Sequence, residues 1–317
     1  MMLDIKDAKQ EALRVVFGET LSDLAEEFPD ILVLDGDLAN STRADIFAER
    51  QPDKFLEMGI AEQNMMGAAA GLATVGFIPF ISTFAAFAVK RSADQVRVVV
   101  AQPGLNVKIT GGYSGLLTGK TGKTHQSVED IAVMRAMPNM TVVVPADGPE
   151  LRQVLRAACL HDGPMYIRLT RDPSPVIFDD SYSFVLGKAV VVREGSDITI
   201  ISTGVQTVRA LEAALMLEQE GIGVHLLHVP TIKPLDERAI VEAAARTGRV
   251  VTAEDHSILG GLGGAVAETL GEQHPTIMKR VGWRDTFGES GPDDALLEKY
   301  GLTPHHVAQA ARELLAR

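Results

Sequence analysis

Met58-Gly59-Ile60-Ala61-Glu62-Gln63-Asn64 is the stretch that decides both the fold and the chemistry of this chain. Glu62 follows a glycine turn and precedes a run from Met65 to Val89 that contains no Asp, Glu, Lys or Arg. A carboxylate at the mouth of an apolar interior is costly to bury unless something binds it. Two interpretations are open at this point. Either backbone amides at the start of a helix satisfy the charge, or the carboxylate serves a ligand.

The uncharged run has the length of a membrane helix, but its internal breakers predict a buried core instead. Gly71, Gly76 and Pro79 interrupt it. The pieces are typical of a small-residue helix, a strand near Phe77–Ile81 and a second helix beginning at Ser82-Thr83. We therefore interpret the run as a helix, strand and helix packed inside a folded domain.

Apolar runs of strand length alternate with helical patterns along the rest of the chain, which is typical of parallel α/β sheets. The further expected strands are Ile31–Leu34, Asn106–Thr110, Thr141–Val144, Met165–Leu169, Ile198–Ser202, Val224–His228, Arg249–Ala253 and Ile277–Val281. Expected helices include Gln206–Glu220, Glu237–Arg246 and Gly263–Leu270. The segment Asp172–Gly187 has linker composition. We predict an α/β protein with two successive parallel-sheet domains, residues 1–180 and 188–317.

Composition limits the possible partners and the compartment. The chain has 317 residues, 46% of them hydrophobic, and a formal net charge of −12. This charge disfavours binding to nucleic acid or to acidic membranes. The single Cys159 excludes an internal disulfide and fits a reducing cytoplasm. The amino terminus is charged and does not resemble a signal peptide, so we expect a cytoplasmic protein.

Several candidate site residues directly follow expected strands. In open α/β sheets, ligands gather at the carboxyl ends of the strands. Asp37 and Leu38 follow one expected strand, residues 113–125 follow another, and Arg171 follows a third. We therefore predict that these segments converge.

Two glycine-rich segments look like nucleotide-binding loops but miss the required spacing. Gly-Lys-Thr begins at Gly119 and again at Gly122, yet the glycine needed five positions earlier is replaced by Ser114 or Leu117. The run 260–264 lacks the glycine or alanine of a dinucleotide fingerprint, because Val266 stands there. We interpret the first segment as a substrate-facing loop and the second as a closely packed helix start.

Taken together, these motifs resemble the transketolase family. Gly-Ile-Ala-Glu-Gln-Asn at 59–64, Ser82-Thr83-Phe84 and Thr124-His125-Gln126 look like its pyrimidine-binding half. Phe287-Gly288-Glu289-Ser290-Gly291 is similar to its C-terminal domain. The resemblance implies thiamine diphosphate as cofactor and the transfer of a two-carbon ketol unit. It makes residues 1–180 a pyrimidine-binding domain and residues 188–317 a transketolase C-terminal domain.

The resemblance also implies a set of cofactor-binding residues. Glu62 would hydrogen-bond N1′ of the aminopyrimidine and take part in proton transfer. Phe84 and Phe87, which by themselves would be interpreted as core residues, would stack on that ring. Leu38 matches the aliphatic residue that holds the cofactor bent, so it and the adjacent Asp37 are expected at the cofactor site.

Substrate-binding residues follow from the same resemblance. Arg14, Ser41 and Arg171 match phosphate-contacting positions, and the planar guanidinium suits that task. His125, which by itself would be an ordinary surface residue, would contact the donor oxygens and act in catalysis.

Two expected substrate residues depart from the family pattern. Thr121 replaces an aspartate that recognises a donor hydroxyl, and Tyr113 replaces a histidine. We therefore expect a phosphorylated ketose that is modified rather than a standard one.

The metal and the diphosphate are expected on a partner. The family binds Mg²⁺ or Ca²⁺ through Gly-Asp-Gly and a later asparagine, and Asp35-Gly36-Asp37 is not that motif. No metal site is therefore expected on this chain. We interpret it as one subunit of a split transketolase, active only with an N-terminal partner in an α2β2 assembly. Three alternatives stay open: a deoxyxylulose-phosphate-synthase-like subunit, a 2-oxoacid dehydrogenase beta-type subunit and a non-catalytic regulatory subunit.

Overall fold

The computed structural model describes Ile5 and residues 8–317. Its strands are β1 Gln10–Glu11, β2 Ile31–Asp35, β3 Phe55–Glu57, β4 Ile78–Phe84, β5 Lys108–Gly112, β6 Thr141–Val143, β7 Met165–Arg168, β8 Ser174–Pro175, β9 Val190–Arg193, β10 Ile198–Ser202, β11 Val224–His228, β12 Thr231–Lys233, β13 Arg249–Ser257 and β14 Ile277–Trp283.

The α-helices are α1 Leu13–Glu27, α2 Ala39–Thr42, α3 Ala44–Arg50, α4 Glu62–Thr74, α5 Ala85–Ala88, α6 Ala93–Gln95, α7 Asp130–Ala136, α8 Gly148–Leu160, α9 Gln206–Gln219, α10 Glu237–Thr247, α11 Leu262–Gln273, α12 Asp293–Lys299 and α13 Pro304–Leu315. Short 3₁₀ turns span Pro52–Lys54 and Gly119–Thr121, and a π-helical turn spans Val96–Ala101.

The first large sheet has seven strands in the order β12-β6-β7-β5-β4-β2-β3. All neighbours are parallel except β12, which pairs antiparallel with β6. The carboxyl ends of β2, β4, β5 and β7 therefore meet at one edge, as a ligand site in such a sheet requires. The strand β12 comes from the C-terminal part of the chain, so the two halves share this sheet.

The second large sheet has five strands in the order β14-β13-β10-β11-β9. It is parallel except for β9, which runs antiparallel to β11. The helices α9 and α13 contact each other, as do α10 and α11. Two largely parallel α/β units confirm the predicted fold class.

The apolar core joins the two halves of the chain. One cluster of buried side chains contains Phe17 and Leu151 together with Leu211. A second contains Met65 together with Leu227. Packing across the two sheets therefore fixes the position of one sheet relative to the other.

The uncharged run folds as the predicted helix, strand and helix, α4, β4 and α5, but the second helix begins at Ala85 and not at Ser82-Thr83. The strand β4 continues through Phe84, because Ser82–Phe84 pair with Thr110–Gly112 of β5. The expected strand Asn106–Thr110 is likewise displaced to Lys108–Gly112. Within the described part of the chain, no helix is long and apolar enough to cross a membrane.

Candidate active site

Glu62 is the first residue of α4, and its side chain is fully buried. Gly59 precedes it with φ +68°, a left-handed conformation that suits glycine and turns the chain from β3 toward the helix. The carboxylate accepts hydrogen bonds from Arg91, whose Nη1 lies 2.7 Å from Oε1 and 2.8 Å from Oε2. A side chain therefore binds this carboxylate, and its buried charge is paired.

An aromatic cluster lies in the same region, formed by Phe84, Phe87, Tyr113 and His125. The ring centroids of Phe84 and Phe87 are 5.6 Å apart. The His125 ring approaches both edge-on, at 5.6 Å from Phe84 and 5.5 Å from Phe87. The guanidinium carbon of Arg91 lies 4.6 Å from the Phe87 centroid. The predicted residues Glu62, Phe84, Phe87 and His125 are thus brought together.

Tyr113 connects this cluster to two arginines. It follows β5 with φ +55°, and its ring stacks on Phe84 at a centroid distance of 3.9 Å. The guanidinium carbons of Arg14 and Arg171 lie 5.9 Å and 5.5 Å from the Tyr113 centroid. The Tyr113 ring therefore lies between Phe84 and two cations.

Arg14, Ser41 and Arg171 are neighbours, as the sequence predicts. Arg14 donates through Nη1 to the Ser41 carbonyl at 2.8 Å and through Nε to the Arg171 carbonyl at 3.1 Å. Arg171 donates through Nη1 to Asp172 at 2.6 Å, while its buried Nε has no hydrogen-bond partner. This unpaired N–H leaves Arg171 able to bind an additional acceptor.

Asp37 and Leu38 follow β2 at the same sheet edge, because β2 and β4 are adjacent and parallel. The buried Asp35 carboxylate, which the sequence did not reveal as a site residue, accepts from the Leu38 N–H at 2.6 Å. Burial raises the pKa of Asp35 to about 6. Asp37 has φ +64° and an exposed side chain, and its N–H donates to Glu57 at 2.9 Å.

Thr121 lies in the turn Gly119–Thr121, against the C-terminal part of the chain. Its hydroxyl pairs with the Thr118 hydroxyl at 2.7 Å and donates to the Thr118 carbonyl at 2.9 Å. The Gly291 N–H donates to the Gly119 carbonyl at 3.2 Å. The hydroxyl of Thr121 is therefore bound within its own turn.

A buried charge network below the site has no counterpart among the motifs of the sequence. Arg168 donates through Nε to Asp130 at 2.8 Å and through Nη2 to the Asp255 carbonyl at 2.9 Å. Asp255 in turn accepts from the Leu116 N–H at 3.0 Å. Burial lowers the pKa of the nearby His256 to about 4, so this histidine is neutral and accepts from the Ile131 N–H. The network ties the loop that carries His125 to β13.

The glycine run 260–264 packs as predicted. Gly261 precedes α11, and the Glu254 carboxylate accepts from the first helical N–H groups, Leu262 at 2.7 Å and Gly263 at 2.8 Å. Burial raises the pKa of Glu254 to about 7. A side chain of the protein therefore binds the amides that a nucleotide phosphate would need.

Bonding groups around Glu62 fit an aminopyrimidine. The buried carboxylate can accept from the ring N–H of a protonated aminopyrimidine, while the phenylalanine rings that Arg91 links to it can stack on a flat heterocycle. The buried hydroxyl of Thr83 has no hydrogen-bond partner. Gly36 lies close to this hydroxyl, since a Cβ added at Gly36 would be 3.5 Å from the hydroxyl oxygen. Among the described residues, no group of three or more His, Cys, Asp or Glu is placed to hold a metal ion.

This fold and this site define a pyrimidine-binding domain of the thiamine-diphosphate enzyme class. The family descriptions "Transketolase, pyrimidine binding domain" and "Transketolase, C-terminal domain" match residues 9–175 and 187–307. The chain belongs to the transketolase family.

Three similar proteins in this family are described as separate subunits or as split-gene forms. The chain is 46% identical to the 6-deoxy-6-sulfo-D-fructose transketolase subunit SqwH of Clostridium sp. (strain MSTE9), over 96% of this chain and 95% of that protein. It is 38% identical to one subunit of the apulose-4-phosphate transketolase of Phocaeicola vulgatus, over 96% and 98%. A solved structure described as a split gene transketolase, inactive beta4 tetramer, is 48% identical with a TM-score of 0.90, over 96% of this chain and 98% of that one.

Proposed function

We propose that this chain is a subunit of a thiamine-diphosphate-dependent transketolase that moves a two-carbon ketol unit from a phosphorylated, modified ketose to an aldose. The observation that carries this proposal is the position of Tyr113. Its ring stacks on Phe84 and also lies beside the guanidinium groups of Arg14 and Arg171. Anion-binding groups and the aromatic cluster therefore share one sheet edge, as a sugar phosphate needs.

Each predicted site residue has a distinct task in this proposal. Bound thiamine diphosphate supplies the carbon nucleophile and the electron sink for cleavage beside the ketose carbonyl. Glu62 holds a proton at the pyrimidine nitrogen, while Phe84 and Phe87 orient the ring and exclude water. His125 donates to a substrate oxygen. Arg14 and Arg171 hold the phosphate.

The donor is proposed to be a modified ketose because Thr121 replaces an acceptor. The Thr121 hydroxyl is already hydrogen-bonded to Thr118, so it is a weaker acceptor for a substrate hydroxyl than a free carboxylate would be. Relatives named for a sulfonated fructose and for apulose phosphate support this choice.

A product analysis with pyruvate as donor distinguishes this function from the deoxyxylulose-phosphate-synthase alternative. The synthase would release carbon dioxide from pyruvate and form a deoxy sugar phosphate.

The site is proposed to be completed by a partner subunit that holds the diphosphate and Mg²⁺ or Ca²⁺, in a cytoplasmic α2β2 assembly. The absent Gly-Asp-Gly motif supports this, as does the relative described as an inactive beta4 tetramer. We expect the purified chain with thiamine diphosphate and Mg²⁺ to show no ketol transfer, and the same chain with its co-purified partner to show it. Robust turnover by the lone chain would contradict the proposal.

Arg14→Ala and Arg171→Ala are expected to impair phosphorylated substrates selectively. Each variant removes a charge-assisted bond worth roughly 1.5–3 kcal/mol, or about 10–150-fold in kcat/KM. Steady-state kinetics with phosphorylated and unphosphorylated donors measure the effect. The control Arg50→Ala removes an exposed arginine that pairs with Asp23 and should change neither. Equal losses for both donor types would mean that Arg14 and Arg171 are structural.

Thr121→Asp is expected to shift donor preference toward standard ketose phosphates. The variant returns a carboxylate to a turn flanked by the exposed Lys120 and Lys123. We expect the ratio of kcat/KM for a standard over a modified donor to rise by about tenfold or more. A donor panel with xylulose 5-phosphate and with branched, deoxygenated or sulfonated ketoses measures this ratio. The hypothesis fails if the wild type already prefers xylulose 5-phosphate widely and the variant changes nothing.

A further inference from the structure

Arg91 makes the two contacts that the proposed function assigns to the aminopyrimidine. Its Nη1 donates to both carboxylate oxygens of Glu62, at 2.7 and 2.8 Å. Its guanidinium carbon lies 4.6 Å from the Phe87 ring centroid. A side chain of the protein therefore occupies both the acceptor and the stacking partner expected for the cofactor.

The chemistry of the two groups explains why they would compete. A guanidinium is planar, carries N–H donors and stacks on aromatic faces. An aminopyrimidine is also planar, and in its protonated or imino form it presents a ring N–H to a carboxylate. A guanidinium that engages both oxygens of Glu62 therefore competes for the lone pairs that would accept this N–H.

Arg91 is also placed to turn outward without unfolding the site. The Glu62 side chain is 0% exposed, whereas the Arg91 side chain is 46% exposed, so the guanidinium covers the carboxylate from the solvent side. The backbone of this segment is held separately: the Arg91 carbonyl accepts from Gln63 at 3.0 Å, and the adjacent Lys90 pairs with Glu129. A side-chain rotation is enough to release Glu62.

We propose that the Arg91 side chain competes with the cofactor for Glu62. Arg91 covers the carboxylate in the cofactor-free protein, and its side chain must rotate away before the aminopyrimidine binds. This inference rests on the proposed function. The closed pair lowers the fraction of sites able to bind the pyrimidine. The contacts that a partner makes to the diphosphate then offset this loss.

Calorimetric titration of thiamine diphosphate with Mg²⁺ into the cofactor-free assembled enzyme tests the proposal. Arg91→Ala should lower the Kd by about 3–10-fold, because the apparent Kd is the intrinsic Kd divided by the competent fraction. Arg91→Ala also leaves the buried carboxylate unpaired, so the cofactor should raise the unfolding temperature more in this variant than in the wild type. The control Arg238→Ala removes an exposed arginine–glutamate pair on α10 and should change neither value.

A double-mutant cycle with Glu62→Gln separates competition from a structural role. In the Glu62→Gln background the closed ion pair is lost, so adding Arg91→Ala should change the Kd by less than the single variant does. A Kd that stays equal or rises in Arg91→Ala would overturn the inference and show that Arg91 instead supports the site. If the wild-type assembly binds no thiamine diphosphate at all, the proposed function fails, and the inference with it.

Discussion

Glu62→Gln should abolish cofactor activation while leaving the fold intact. A glutamine can still hydrogen-bond the pyrimidine nitrogen but cannot share its proton in the same way, so the rate should fall by about 10²–10⁴. The near-equal size of the two side chains suits a fully buried position at the start of α4. Hydrogen–deuterium exchange at C2 of thiamine diphosphate bound to the assembled enzyme is the direct measurement.

The matched control is Glu49→Gln, an identical substitution at an exposed position on α3. It should exchange at the wild-type rate. Titration of the cofactor into both variants shows whether any loss is one of binding or of activation. Wild-type exchange in Glu62→Gln would remove this carboxylate from the proposed chemistry.

Arg168→Met is expected to have the largest effect on stability. The arginine and Asp130 are almost completely buried, with side-chain exposures of 3% and 0%. Removing one member of a buried pair leaves the other charge unpaired, which costs about 3–5 kcal/mol in the free energy of unfolding. Urea unfolding followed by the fluorescence of the single, buried Trp283, whose indole N–H donates to Asp255, measures the change.

Tyr166→Phe is the comparison for this prediction, because it removes only the 2.7 Å hydrogen bond to Asp130. It should cost about 1.5–3 kcal/mol in the free energy of unfolding, because the acceptor is charged. If Arg168→Met does not fold, the double variant with Asp130→Asn should recover part of the loss, because no charge is then left unpaired. A single Arg168→Met variant within about 1 kcal/mol of the wild type, as for an exposed pair, would contradict the assignment.

The same network predicts a dependence on pH. Burial alone would raise the pKa of Asp130, but the Arg168 guanidinium and the hydrogen bond from the Tyr166 hydroxyl hold it below its ordinary value. A carboxyl with a lowered pKa stabilises the fold above its ordinary pKa, and this stabilisation is lost on acidification. The stability difference between wild type and Asp130→Asn should therefore shrink as the pH falls.

The strands most accurately predicted are those whose pattern is local. Ile198–Ser202 and Val224–His228 are predicted to the residue, because a short buried apolar run between turns carries its own signal. The three-residue strands β3 and β12 have no period of their own and exist only through pairing with distant strands. The helix start expected at Ser82-Thr83 is too early for a related reason, since pairing with β5 extends the strand through Phe84 and overrides a local helix-start signal.

The candidate site also divides into residues with a local sequence signal and residues whose contacts depend on distant parts of the chain. Glu62, the phenylalanines and His125 belong to compact motifs, and it is the resemblance of these motifs to the transketolase family that predicts one shared site. The pair of Glu62 with Arg91 spans 29 positions, and the bond from Arg168 to the Asp255 carbonyl spans 87. The one sequence signal for Arg91 is that Lys90-Arg91 ends the uncharged run from Met65 to Val89. Distance along the chain thus limits what the sequence reveals of the electrostatics.

The strand β12 has a consequence for how the protein is made. On a ribosome, the residues of β6 emerge well before Thr231–Lys233, so the first sheet keeps an unpaired edge while the linker and the first part of the second half are synthesised. Such an edge is a template for pairing with other nascent chains. A fragment ending in the linker would retain that open edge permanently. It would also lose Lys233, whose amine donates to the carbonyls of Arg135 and Met137. The first sheet is therefore completed only after translation has passed Lys233.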